Sequence, residues 1–138
     1  MGKEPFPVLM AEDDEHDIVA TKRAWKKHHI ANPLYVVNNG EECLDFLHQR
    51  GKYTDPALAP RPGILLLDIK MPKMDGLTVL KSIRGDEKLR RLPVVILTTS
   101  KAEEDRFKGY ELGANAYIVK PVGFENFSDA VKTISLFW

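Results

Sequence analysis

The sequence predicts an α/β domain in which helices cover both faces of a parallel sheet. Short apolar runs alternate with helical patterns five times along the 138 residues, which is typical of parallel sheets. Strands are predicted over residues 7–12, 34–38, 63–68, 93–98 and 116–120, and helices over residues 15–29, 40–50, 75–85, 102–112 and 124–136. Because 138 residues suffice for one core but not for two ordinary ones, we expect 1–138 to be a single domain.

The first two β-α units are delimited by acids and by a turn. The apolar run Val8–Ala11 ends in three acids at positions 12–14, and a helical pattern follows them. Asn39 and Gly40 predict the turn into the second helix.

Residues 51–63 contain three prolines, which exclude a regular helix. They predict a long surface loop; an interdomain linker is the alternative, but the residues before it are too few to bury a core alone.

The last three apolar runs end in a carboxylate, a hydroxyl and an amine, at Asp68, Thr98 and Lys120. A proline and a glycine after Asp68 predict a tight turn into the third helix. Ser100 is the predicted N-cap of the fourth helix, with a glutamate three residues later to complete a capping box. Gly113 is its predicted C-cap.

Composition excludes several functional classes. Twenty basic and twenty acidic residues cancel, with a pI near 6.9, so the overall charge gives no reason to expect binding to nucleic acid or to an anionic membrane. The apolar runs are too short to span a bilayer, and the N-terminus lacks the apolar segment of a signal peptide. The single Cys43 excludes an internal disulfide and fits a reducing compartment. We therefore expect a cytoplasmic protein.

The carboxyl ends of parallel strands meet at one edge of the sheet, where ligands bind. Glu12, Asp13 and Asp68 should therefore gather there and repel one another unless a cation binds. Oxygen ligands without histidine or cysteine favour Mg²⁺, with Asp13 and Asp68 as direct ligands and Glu12 acting through water. Lys120 supplies a charge that can pair with a carboxylate or a phosphoryl oxygen, and the hydroxyl of Thr98 can donate to such an oxygen. Solvated loop acids are the alternative interpretation.

This pattern resembles the receiver domain of two-component response regulators over nearly the whole chain. The resemblance rests on Glu12-Asp13, on Asp68-x-x-Met71-Pro72-x-Met74-Asp75-Gly76, on Thr98, and on Tyr117 with Lys120-Pro121. It implies a flavodoxin-like (CheY-like) doubly wound sheet of five parallel strands in the order 2-1-3-4-5 with five helices.

The resemblance also implies a phosphoacceptor. Asp68 would accept a phosphoryl group from a histidine kinase or a histidine phosphotransfer protein. Glu12, Asp13, Asp68 and the backbone carbonyl of Lys70 would hold Mg²⁺. A protein of this kind is not an enzyme in the ordinary sense, since it catalyses only its own phosphorylation and dephosphorylation.

Three further residues take their roles from the same resemblance. Lys120, expected to precede a cis peptide bond to Pro121, would stabilise the transferred group. Thr98 would bind that group afterwards, and Tyr117 would turn inward as the threonine moves. A half-buried strand tyrosine without such a role is the alternative for Tyr117.

Three features resemble the single-domain regulators that partner cyanobacterial and other bacterial phytochromes. The chain ends after the fifth helix without an output domain, residues 51–63 lengthen one connection, and the last residues are Leu136-Phe137-Trp138. We expect this tail, with helix 4, strand 5 and helix 5, to form a homodimer face; packing of the tail against its own domain is the alternative. The basic stretch Lys22–His29 is a solvated helix face or a docking surface for the kinase.

Two rival functions explain the sequence less well. A haloacid-dehalogenase-type phosphatase also uses a strand-end aspartate with Mg²⁺, but it needs a second aspartate two residues later, where this chain has Lys70. A flavodoxin has the same fold, but the acidic first loop at positions 12–15 would repel a flavin phosphate.

Overall fold

The computed structural model describes residues 5–108 and 110–135. Within them, five parallel strands form one sheet in the order β2-β1-β3-β4-β5, which confirms the flavodoxin-like prediction. The strands are β1 (Val8–Ala11), β2 (Leu34–Val37), β3 (Ile64–Asp68), β4 (Val94–Thr98) and β5 (Ala116–Val119). The helices are α1 (Glu15–Lys27), α2 (Gly40–His48), α3 (Gly76–Arg84), α4 (Lys101–Lys108) and α5 (Phe124–Ser135).

The central strands are buried on both faces, which is why their sequences are continuously apolar. Alternate residues of a strand point to opposite faces, so Leu65 and Leu67 belong to one apolar cluster and Leu66 to the other. The first cluster includes side chains of α2, α3 and α4, and the second includes Trp25 of α1 and Phe127 of α5. Helices therefore cover both faces, and the loops after the strands share one edge.

The fourth helix is shorter than predicted. α4 ends at Lys108 rather than at residue 112, and Gly113 is therefore not its C-cap. Glu111 and Gly113 both have positive φ angles, 48° and 86°, which a helix cannot contain. The helical pattern up to residue 112 did not predict a left-handed backbone at Glu111, which is not a glycine.

The predicted start of α4 is confirmed, with one difference. Ser100 Oγ accepts a hydrogen bond from the backbone N–H of Glu103 at 3.1 Å. The Glu103 carboxylate accepts from the N–H of Thr99, one residue before the cap, at 3.0 Å. The reciprocal bond of the capping box is thus displaced by one residue.

Residues 51–63 lie against the domain and do not form a linker. A 3₁₀ turn at Gly51–Tyr53 precedes the prolines, and Tyr53 Oη donates to Glu42 of α2 at 3.1 Å. Gln49 Nε2 donates to the carbonyl of Ala59, whose side chain is fully buried, at 2.8 Å. The alternative of an interdomain linker is therefore wrong.

Two further predictions concern the ends of the chain and the membrane. The tail Leu136-Phe137-Trp138 lies outside the described residues. Its predicted part in a homodimer face, and the alternative of packing against its own domain, therefore stay predictions. Across residues 5–108 and 110–135, none of the helices has the length and apolar character needed to cross a membrane.

Candidate functional site

The three predicted acids meet at the carboxyl edge of the sheet. β1 and β3 are neighbours with Ala11 opposite Leu67, so the next residues, Glu12 and Asp68, lie side by side. One carboxylate oxygen from each of Glu12, Asp13 and Asp68 lies within 4.8 Å of the others. Glu12 and Asp68 are buried, whereas Asp13 is exposed. This all-oxygen donor set fits a divalent cation such as Mg²⁺ and offers no nitrogen or sulfur ligand for zinc.

Glu12 is the most deeply buried of the three acids. Its Oε1 accepts a hydrogen bond from Lys120 Nζ at 3.0 Å, and its Oε2 accepts from the N–H of Asp14 at 3.1 Å. Burial, the largest cause, and the adjacent Asp68 carboxyl together raise the pKa of Glu12 from 4.5 to about 7, against the opposing effect of these two donors. Because ionisation of Glu12 is unfavourable at this site, a bound cation would stabilise its carboxylate form.

Lys120 joins three carboxylates at the end of β5. Its Nζ lies 2.8 Å from Asp17 Oδ2, 3.0 Å from Glu12 Oε1 and 3.6 Å from Asp68 Oδ2. Burial lowers the pKa of this lysine, but the hydrogen bonds to Asp17 and Glu12 and the charge of Asp68 outweigh it, so its pKa lies above the ordinary value. Lys120 is therefore charged at neutral pH. The peptide bond to Pro121 is cis, as predicted from the sequence.

Thr98 and Tyr117 lie on neighbouring strands beside the acids. Thr98 is fully buried, and its hydroxyl makes a long hydrogen bond of 3.4 Å to the carbonyl of Ile118. Tyr117 is half-buried, and its hydroxyl donates to the carbonyl of Phe107 in α4, also at 3.4 Å. Both bonds are at the upper limit of length and are therefore weak. The first bond joins the end of β4 to β5, and the second joins β5 to α4.

The loop after Asp68 is tightly folded. Gly76 begins α3 so close to the backbone of Asp68 that a Cβ would overlap the Asp68 carbonyl oxygen, which explains the glycine. Lys73 has a φ of 65°, and Met74 N–H bonds to the carbonyl of Pro72 at 2.7 Å, which together form a strained γ-turn. This turn fixes the backbone that follows the aspartate.

Lys70, two residues after Asp68, is exposed and its Nζ lies 3.5 Å from Glu103 Oε2 of α4. Burial opposes the ionisation of Glu103, but the N–H of Thr99 and the charge of Lys70 together lower its pKa. The side chain of Lys70 thus connects the β3–α3 loop to α4. The role of its backbone carbonyl as a metal ligand stays a prediction.

The sequence did not identify Asp17, which makes the shortest contact with Lys120. A signal was present, because Asp17 lies in the first turn of α1, directly after the acids at the end of β1. The first turn of a helix that follows a strand remains at the same edge of the sheet. The other predicted residues at the strand ends occupy this edge: Glu12, Asp13, Asp68, Lys70, Thr98 and Lys120. Tyr117 lies within β5, two residues before its end.

Comparisons with known proteins agree with this geometry. Residues 8–132 match the family model described as the response regulator receiver domain. The chain is 36% identical over 134 residues to the response regulator Rcp1 of Synechocystis sp., covering 97% of this chain and 89% of Rcp1.

Solved structures match over a similar extent. The bacteriophytochrome response regulator AtBRR has a TM-score of 0.88 and 42% identity, covering 99% of this chain and 96% of that one. A Mn²⁺-bound form of Rcp1 has a TM-score of 0.72 and 36% identity, covering 97% of this chain and 94% of that one.

Proposed function

This chain belongs to the response regulator receiver family of two-component signalling, and we propose that Asp68 is its phosphoacceptor. The observation that carries the proposal is the cluster of Glu12, Asp13 and Asp68 with Lys120 beside it. Asp68 is buried at a strand end, and the Lys120 ammonium lies 3.6 Å from its Oδ2. An exposed loop acid would have neither of these properties.

In the proposed reaction, a carboxylate oxygen of Asp68 attacks the phosphorus of a phosphohistidine on the donor. The P–O bond forms as the donor's P–N bond breaks, and the leaving imidazole takes a proton from solvent. Glu12, Asp13, Asp68 and the Lys70 carbonyl would hold Mg²⁺, which when bound neutralises charge on the phosphoryl oxygens. The Lys120 ammonium would then bind an oxygen of the acyl phosphate.

The same proposal gives Thr98 and Tyr117 their roles. A phosphoryl oxygen beside Asp68 is a stronger acceptor than the Ile118 carbonyl, to which the Thr98 hydroxyl is only weakly bonded. Movement of that hydroxyl would change the packing between the end of β4 and β5, the strand that carries Tyr117, whose own bond to Phe107 of α4 is also weak. Phosphorylation would thereby alter the surface formed by α4, β5 and α5.

The chain would not act as a phosphatase on other substrates. Lys70 occupies the position at which a haloacid-dehalogenase-type enzyme places its second aspartate, and its ammonium is paired with Glu103. A charged lysine cannot serve as the base for repeated hydrolysis. Turnover would therefore be limited to the chain's own acyl phosphate.

The test is the intact mass of the protein after reaction with acetyl phosphate, first with Mg²⁺ and then with a chelator. Wild type should gain one phosphate only with Mg²⁺, and Asp68→Asn should gain none. Asp75→Asn is the matched control, because Asp75 is an exposed acid in the same loop and asparagine also caps helices well. Labelling of Asp68→Asn, or none of wild type where a known receiver labels, would refute the proposal.

We further propose a histidine kinase as donor, with bacteriophytochrome kinases as the first to try. Two structures described as bacteriophytochrome response regulators match this chain with 42% and 41% identity, which supports that choice. Purified kinase carrying ³²P on its histidine should transfer the label to wild type within minutes and not to Asp68→Asn. If unrelated histidine kinases transfer equally fast, the phytochrome assignment is wrong.

A homodimer through α4, β5 and α5 is also proposed. It is supported by the exposed aromatic ring of Tyr110, just after α4, together with the half-buried Tyr117 on β5. Sedimentation at high concentration, with and without beryllofluoride, should show a dimer that Tyr110→Ser weakens. A monomer under all these conditions would exclude it.

A further inference from the structure

We propose that Asp17 is a positioning residue that competes with the phosphoryl group for the Lys120 ammonium. The inference rests on the proposed function, because it assumes that the group is carried by Asp68. In the unphosphorylated protein, Asp17 would hold the ammonium away from Asp68. On phosphorylation, Lys120 would leave Asp17 and bind a phosphoryl oxygen.

The distances around Lys120 support this competition. An ammonium has three N–H donors, and two of them are used at hydrogen-bonding distance by Asp17 (2.8 Å) and Glu12 (3.0 Å). Asp68 lies at 3.6 Å, which is an ion-pair distance rather than a hydrogen bond. The lysine is therefore bonded most closely to a residue outside the acid cluster and only loosely to the proposed phosphoacceptor.

Exposure decides which partner Lys120 would release. The Asp17 side chain is 28% exposed, so water can solvate its carboxylate once the lysine has left. The Glu12 side chain is fully buried, and a carboxylate left there without its lysine would carry an uncompensated desolvation cost. Exchange at Asp17 is thus less costly than exchange at Glu12.

The backbone around Asp17 allows the exchange without loss of the helix. Its N–H bonds to the N-cap residue Asp14, and its carbonyl accepts from the Thr21 hydroxyl. Both bonds use main-chain atoms, so they persist when the carboxylate rotates or is replaced by an amide. Asp17→Asn should therefore fold normally while removing only the charged competitor.

The test is the affinity for beryllofluoride, a phosphoryl mimic, measured by calorimetry at saturating Mg²⁺. Asp17→Asn should bind it about two- to fivefold more tightly than wild type, the range expected for release of one partly exposed ion pair. Glu15→Gln is the matched control, because Glu15 is an exposed acid in the same first turn that is not a partner of Lys120. It should change the affinity less than about twofold.

A double variant separates competition from a general effect of charge. In the Lys120→Gln background the ammonium is absent, so Asp17→Asn should no longer change beryllofluoride affinity. Equal or weaker binding by Asp17→Asn would overturn the inference, as would an equal gain from Glu15→Gln or a gain that persists without Lys120. If wild type and Asp68→Asn bind beryllofluoride alike, the proposed function itself fails.

Discussion

The two edges of the sheet differ in how they are stabilised. At the carboxyl edge, Glu12 and Asp68 are buried together, and among residues 5–108 and 110–135 Lys120 is the one cation paired with them. At the amino edge, residues such as Leu89 and Leu92 line an apolar groove of about 470 Å³. Three exposed cations surround that groove: Arg61, Lys88 and Arg91.

This difference separates stability from function within one fold. Packing at the amino edge is favourable in itself, since burial of apolar surface needs no ligand. The carboxyl edge contains repelling acids whose burial is unfavourable until a proton or a cation arrives. Stability that depends on pH and on Mg²⁺ should therefore be confined to the carboxyl edge.

The largest effect is expected from Lys120→Met. It leaves Glu12, Asp17 and Asp68 without their shared cation, and removal of one partner from a buried ion pair costs about 3–5 kcal/mol. Urea unfolding in chelator at pH 8 should show this loss, and Mg²⁺ should recover part of it. Lys132→Met, at an exposed position on α5, is the control and should change little. Unaltered stability of Lys120→Met in chelator would contradict the contrast between the edges.

The next largest effect is the pH dependence caused by Glu12. Its pKa is about 7 in the folded protein and 4.5 ordinarily, so the folded state binds the extra proton and stability falls as pH rises through this interval. In chelator, wild type should lose about 2–3 kcal/mol relative to Glu12→Gln between pH 5 and pH 8.5. Urea unfolding of both proteins at each pH measures this difference. Parallel pH profiles would show that the burial of Glu12 carries no such cost.

At the amino edge, Leu92→Ala should have a moderate effect that does not depend on conditions. Leu92 is partly buried and borders an open groove, so we expect a loss of about 1–2 kcal/mol, below the cost in a closed core. The loss should be the same at pH 5 and pH 8.5, and with Mg²⁺ or chelator, in urea unfolding. A loss that varies with Mg²⁺ would show that the two edges are coupled.

Most of the fold could be predicted because its elements follow local rules. Apolar runs bounded by turn residues gave all five strands to within about two residues. The end of α4 could not be predicted, because Glu111 adopts a left-handed backbone that local sequence does not favour. The strand order was taken from the family resemblance, since periodicity does not specify which strands pair.

The candidate site was predicted as far as strand ends determine it. Asp68, Thr98 and Lys120 each end an apolar run, and parallel strands bring such ends to one edge. Asp17 was missed because it lies on a helix, where the sequence shows an ordinary acid of the first turn. Its contact with Lys120 joins residues 103 positions apart, and only the folded chain shows it.

The smallest effect on the free energy of unfolding is expected from Tyr117→Phe. This variant tests whether the carboxyl edge is coupled to α4. The variant removes a hydroxyl whose bond to the Phe107 carbonyl is 3.4 Å long, and it keeps the half-buried ring, so the loss should be below about 0.5 kcal/mol. If the ring carries the response, beryllofluoride should alter amide hydrogen exchange in α4 equally in wild type and Tyr117→Phe, and not in Tyr117→Ala. If Tyr117→Phe abolishes this change in hydrogen exchange, the hydroxyl and not the ring transmits the response. If Tyr117→Ala retains the change, Tyr117 does not couple the carboxyl edge to α4.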